Sequence, residues 1–243
     1  MNRTEPSGGG SLLEAAAVGV LGAGFAAAAG APFGLGLPFA AVGAANGVLT
    51  GWRRVYDWRC STGVAAFTLD STWALATTAA GLASQAFGLA RGRPDYDASL
   101  SRRANRMVYR RGFVLRRGFL ITVGNVVSGA GDTSTPRRRR LVTDHENVHV
   151  WQARWFGPLY PVLYGSWMIG GGAVGMVLWL ARRRRAPLAK ATFTKAPFTK
   201  VVESCAYYLN PFEWWAYSRD DHWPPSGKVA GLGWRKPIVG PLR

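Results

Sequence analysis

The sequence predicts a mainly α-helical integral membrane protein, with Gly/Ala-rich transmembrane helices and a small antiparallel β meander packed near a His-Glu-x-x-His helix. Three observations predict it. Residues 15–52 contain no charged side chain and are dominated by Ala, Gly, Leu, Val and Phe. Further apolar runs at 62–90 and 159–181 are separated by Arg clusters, the pattern of a multi-span membrane protein. Between them, His145-Glu146-Asn147-Val148-His149 follows a short β-branched and aromatic stretch, Phe119 to Val127.

Composition narrows the function classes. The chain has 243 residues, a hydrophobic content of 48% and a formal net charge of +17, enough chain for one or two domains with a sizeable core. Such a charge points first to nucleic acid or to an anionic membrane surface. The long apolar segments choose the membrane, so anionic lipid head groups are the expected partner and nucleic acid is not. Cys60 and Cys205 belong to no Cys-x-x-Cys pair and are expected to be free.

Taken in order, residues 1–10 read as a disordered tail, 11–90 as a transmembrane helical region, and 91–243 as a basic region that carries the chemistry. Residues 12–29 and 32–50 each approach the roughly 20 residues a spanning helix needs, and the break around Gly30 to Pro38 makes them a helical hairpin. Their small residues allow close helix approach. A soluble Ala/Gly-rich helix pair is the alternative, but it would need a charged face. Trp52, Arg53, Arg54, Trp58 and Arg59 then mark an interface. In 62–90, Asp70 is either an intramembrane carboxylate or the N-cap of a helix over 72–90.

The stretch 91–117 is densely basic, and the meander draws on Val108-Tyr109, Phe113 to Leu115 and Phe119 to Val123, with a turn at Gly124-Asn125 before Val126-Val127. Arg137 to Arg140 read as an exposed loop or a head-group contact. The motif helix is expected over Asp144–Phe156, ended by Gly157-Pro158. Both flanks of 159–181 carry Arg, which favours one cytoplasmic side for both. The triplet Gly170-Gly171-Gly172 therefore suggests a re-entrant pair, 159–169 and 173–181, or a segment lying on the membrane surface. Phe-Thr-Lys occurs twice between 193 and 200, without a wider repeat.

The chemistry centres on His145, Glu146 and His149. Residues i and i+4 of a helix lie on one face, so the two imidazoles can hold one metal ion, Zn2+ above all, with Glu146 as general base. Thr143 and Glu146 also have capping-box spacing, a purely structural alternative compatible with metal binding. A catalytic zinc takes three protein ligands, and Glu203, Glu213, Asp220, Asp221 and His222 are the downstream candidates. Asn210 as N-cap and Pro211 at the first helical position put Glu213 in the first turn of a helix, which makes it the first choice; His222 is the second, and a capping role is open to Glu213 too.

The motif His145-Glu146-x-x-His149-x-x-Gln152, then Gly157-Pro158-Leu159-Tyr160, and Asn210-Pro211-Phe212-Glu213-x-x-Ala216-Tyr217 together resemble the gluzincin-type metallopeptidase-like proteins of bacteria, over about residues 110–220. The resemblance implies zinc held by His145, His149 and Glu213 and Glu146 as the base, with a peptide or protein substrate; the apolar segments and Arg flanks lead to the expectation of the bacterial inner membrane, with the basic region on its cytoplasmic side. Gluzincins often carry an acid four residues after the ligand Glu, where this chain has Tyr217. Tyr164, Tyr217 and His222 are candidate oxyanion donors. The competing expectation is a non-catalytic accessory or scaffold subunit of a membrane complex with a vestigial or structural metal site.

Overall fold

The computed structural model describes residues 11–92, 95–115, 118–185, 196–220, 223–234 and 236–239, with the side chains of 184 and 185 left aside. Residues 1–10, the first Phe-Thr-Lys copy, Asp221 and His222 therefore lie outside the described residues. The chain divides into two compact units, residues 1–158 and 159–243. It is mainly helical, with one three-stranded mixed sheet among the described residues.

The first unit opens with the expected hairpin. Helix α1 spans Leu12–Gly30 and α2 spans Gly36–Trp52, joined through a 3₁₀ turn at Ala31–Phe33. Ser11 caps α1 by accepting from the Glu14 N–H at 3.1 Å. Gly43, Gly47 and Gly51 recur every fourth residue on α2, and a Cβ at each would collide with the α1 backbone at Gly22, Val18 and Glu14. Small residues at helical spacing thus set the approach of the pair.

Residues 62–90 do not form one helix. Helix α3 (Ser61–Asp70) and α4 (Leu75–Ala90) are separated by a turn, and neither reaches the length of a span. Asp70 ends α3 and is not the N-cap of α4, whose N-cap is Ala74. Its carboxylate instead meets a buried guanidinium, described below.

A short helix α5 (Ala98–Ser101) precedes strand β1 (Met107–Tyr109), followed by β2 (Ile121–Val123) and β3 (Val126–Ser128). The expected antiparallel meander is only half right. β2 and β3 pair antiparallel around the Gly124-Asn125 turn, but β1 pairs parallel with β3 and the strand order is β1-β3-β2. β2 adds on the side of β3 away from β1, and Phe113 to Leu115 contribute no strand. Gly124 adopts φ +57°, and a Cβ there would clash with the Thr77 carbonyl, so the turn needs glycine.

The register decides what each face meets. Val108, Val127 and Thr122 lie side by side on one face, Met107, Val126 and Val123 on the other. Val108 and Val127 pack with Leu100, Ala130, Val142 and Val150, while Met107, Tyr109 and Val126 pack with Val55. β1 and β3 are buried on both faces, whereas β2 is a half-buried edge.

Asp97, the N-cap of α5, ties the sheet to the loop before the motif helix. Its carboxylate accepts from Ser99 Oγ at 2.6 Å, Thr133 Oγ1 at 2.6 Å, Arg110 Nε at 3.0 Å and the Leu100 N–H at 3.2 Å. Burial alone would raise its pKa, but bonds from Ser99, Thr133, Arg110 and Leu100 outweigh it and bring the group down to about 2. A depressed carboxylate stabilises the fold above its unfolded pKa of 3.8, and that contribution is lost as pH falls toward about 2. Asp97 is expected to contribute about 1 kcal/mol at neutral pH, since its partner Arg110 is half exposed and solvent screens the pair. Thermal unfolding of Asp97→Asn should therefore show a flatter pH dependence than wild type between those two values.

The motif helix is longer than expected and starts differently. Helix α6 (Pro136–Arg140) leads into a π-helical turn over Leu141–Glu146 and then α7 (Asn147–Phe156). Arg137 to Arg140 are thus helical, not a loop. Gly157 ends the run as expected, with φ +51° and its N–H bonded to the Ala153 carbonyl.

In the second unit, α8 runs unbroken over Leu159–Arg185, straight through Gly170–Gly172, so the expected break is absent. Helix α9 (Phe198–Glu203), a π-helical turn (Ser204–Tyr208) and α10 (Pro211–Arg219) follow. They return antiparallel along α8. Trp179 packs edge-on against Phe198, Gly175 meets Val202, Gly171 meets Cys205 and Ala206, and Tyr164 meets Glu213. Gly171 and Gly175 leave no room for a Cβ beside this return leg, so the middle glycine of the triplet serves packing within an unbroken helix.

Two helical stretches, Leu12–Phe33 and Leu159–Arg183, are long and apolar enough to cross a membrane by length and composition.

Candidate metal centre

His145 and His149 lie where the π turn passes into α7, and both are buried. Their Nε2 atoms face each other at 3.3 Å. Two nitrogens each about 2.05 Å from one tetrahedral zinc would stand about 3.3 Å apart, so the pair is spaced as the edge of such a site. Gln152, one turn on and fully buried, places its amide oxygen 2.8 Å from His149 Nδ1. An amide oxygen only accepts, so Nδ1 carries the proton and the Nε2 lone pair is directed at its neighbour. The motif residue Gln152 thereby acquires a role: it fixes the tautomer of His149.

Glu146 is buried beside them, and its Oε2 accepts from Thr122 Oγ1 at 2.7 Å. The sheet register explains the contact. Thr122 lies opposite Val127 on the face that packs against Val142 and Val150, so the edge strand delivers a hydroxyl to Glu146. Sequence reasoning missed Thr122; the signal was its place in the strand register. The capping-box alternative does not hold, because Thr143 lies inside the π turn and bonds Asp144 Oδ1 at 2.8 Å.

The opposite face of α7 anchors the helix. Asn147 and Arg154 are seven residues apart, two turns along one stripe. Arg106 Nη1 donates to Asn147 Oδ1 at 2.9 Å. Burial and the neighbouring Arg154 pull the Arg106 guanidinium down to about 10, still charged at neutral pH. Arg154 forms a two-pronged ion pair with Asp70, Nε to Oδ1 and Nη2 to Oδ2 both at 2.8 Å, with each side chain 1% exposed. Tyr56 and Asn125 also donate to Asp70 Oδ2, at 2.9 Å and 3.3 Å, and Arg154 reaches the Asn105 carbonyl at 2.5 Å. Asp70, singled out in the sequence as an acid within an apolar run, is therefore a counter-ion of the motif helix.

In the second unit, Asn210 caps α10 as expected, accepting from the Phe212 N–H at 3.1 Å with Pro211 at the first position. The Asn210 N–H goes to the Tyr207 carbonyl, so a capping box with Glu213 is not formed. Glu213 is buried, and its Oε1 accepts from Tyr164 Oη at 2.7 Å. Burial and the Glu213 charge push the Tyr217 hydroxyl well up, which keeps it protonated. Of the other downstream candidates, Glu203 pairs with Lys200 at 2.8 Å and Asp220 is buried.

His145, His149 and Glu213, all three buried, make a His/His/Glu group that could hold a metal ion. No family model, no curated protein and no solved structure matches this chain.

Proposed function

We propose that this chain is a membrane-anchored, zinc-dependent peptidase of gluzincin-like design, with His145, His149 and Glu213 as ligands and Glu146 as general base. The single observation that carries the reading is the facing Nε2 pair of His145 and His149 at 3.3 Å, backed by Gln152. The donor set of two imidazoles and a carboxylate suits zinc and leaves a fourth position for water or substrate. When bound, zinc polarises a carbonyl and acidifies water.

The chain's own residues do the rest. Thr122 engages Glu146 Oε2, which holds the carboxylate still and assigns proton transfer to Oε1. Oε1 takes a proton from the attacking water as the new C–O bond forms, then gives it to the peptide nitrogen, and the C–N bond breaks with the amine as leaving group. The half-buried edge strand β2 offers unpaired backbone groups beside Glu146, where an extended peptide can add as a further strand.

Membrane anchoring rests on charge and exposure. The α1–α2 hairpin bears no charge between Glu14 and Arg53, and Leu13 and Leu37 are 82% and 84% exposed. At its open end Trp52, Trp58 and Arg59 are exposed and suit an anionic head-group layer, while Arg103 pairs with Glu14 and Arg53 turns onto Tyr96 and Tyr109. Helix α8 carries no charge between Leu159 and Ala181, and only 6% of its apolar window is buried. The return leg carries the chain back to the level at which α8 begins, so Glu213 and residue 158 share one side even where α8 crosses the bilayer. Lys200 and Glu203 on that leg neutralise each other.

Protein reconstituted into phosphatidylglycerol-containing vesicles is expected to cleave an added unfolded polypeptide, to stop on chelation and to resume with zinc. Cleavage that survives chelation would refute the zinc assignment.

A further inference from the structure

The second unit contains a device for presenting Glu213, and the inference drawn from it rests on the metal reading above. The Tyr164 hydroxyl donates to Glu213 Oε1 at 2.7 Å across the α8–α10 pair. A carboxylate with one oxygen occupied by a donor keeps the other as its ligating atom and loses rotation about its terminal torsion. Tyr164 is itself held by aromatic contacts. Phe212 lies 6.1 Å from its ring, roughly stacked, and Tyr160 5.9 Å away.

The register that brings these groups together is fixed farther along the hairpin. A Cβ at Gly171 would run into the Cys205 backbone, and one at Gly175 would lie 2.8 Å from Val202 Cα. The neighbouring Gly165 and Gly170 would meet nothing within 4 Å. The close contacts therefore sit on one stripe of α8 and set how near, and in what register, the return leg runs. We propose that Tyr164 is a positioning residue that orients Glu213 as a monodentate Oε2 ligand, and that Gly171 and Gly175 hold the register that lets it do so. This replaces the oxyanion role for Tyr164 suggested by sequence alone.

The test is Co2+ binding to the purified full chain in detergent, read by its visible ligand-field spectrum and by titration, beside thermal unfolding of the metal-free protein. Tyr164→Phe removes one hydroxyl and is expected to weaken Co2+ binding about ten- to a hundredfold and to alter the spectrum, without changing metal-free unfolding. Gly171→Ala should weaken binding as well, whereas Gly170→Ala, whose Cβ would meet nothing within 4 Å, should bind as wild type does. A Tyr164→Phe protein with wild-type affinity and spectrum would overturn the positioning role while leaving the metal reading intact. A wild-type protein that takes no Co2+ would overturn both.

Discussion

Replacing Glu146 with Gln is expected to leave the metal content unchanged and to slow proteolysis by about a hundredfold to ten-thousandfold. Gln is nearly isosteric and can still accept from Thr122 Oγ1, so the local packing survives. What it cannot do is take a proton from water. The His pair and Glu213 are untouched, so metal binding and catalysis should separate in this one variant. Thr122→Val is the milder companion. It removes the hydroxyl that holds Oε2, and its effect should fall on turnover more than on metal affinity.

Breaking the Asp70–Arg154 pair is the second large effect. Arg154→Ala or Asp70→Ala should each destabilise the first unit by about 3–5 kcal/mol, because each leaves a buried charge without its counter-ion. Both side chains are 1% exposed, so water cannot take over. A double replacement by apolar residues of similar volume, Asp70→Leu with Arg154→Met, should recover much of the loss, since it removes both charges together. Thermal or urea unfolding measures all three. A double variant no better than the singles would show that the bonds from Tyr56 and Asn125 to Asp70, and from Arg154 to Asn105, matter more than the ion pair itself.

Much of this was legible in the residues. The helical hairpin at the start, the end of the motif helix at Gly157-Pro158, the Gly124-Asn125 turn and the capped helix starting at Pro211 all follow from local signals of small-residue spacing, glycine and proline. The facing His145 and His149 were legible because i, i+4 spacing is a one-dimensional property. The misreadings share a cause. Whether β1 pairs parallel or antiparallel with β3 depends on which side of β3 each neighbour joins, which no local strand pattern encodes. Asp70 looked like a cap because Ser71 and Thr72 follow it; its partner Arg154 lies 84 positions away. Thr143 and Glu146 had capping spacing, but the helix begins earlier, at Pro136, and a π turn removes the need for a cap there. Gly170–Gly172 looked like a break because helix-weakening residues were judged without the return leg that packs against Gly171.

The most direct test of the central claim is the metal content of the detergent-purified wild-type chain beside His149→Ala and Glu213→Ala. The account predicts about one zinc per wild-type chain and its loss from both variants. A wild-type protein free of zinc after supplementation, or a Glu213→Ala protein that keeps it with unchanged affinity, would contradict the account.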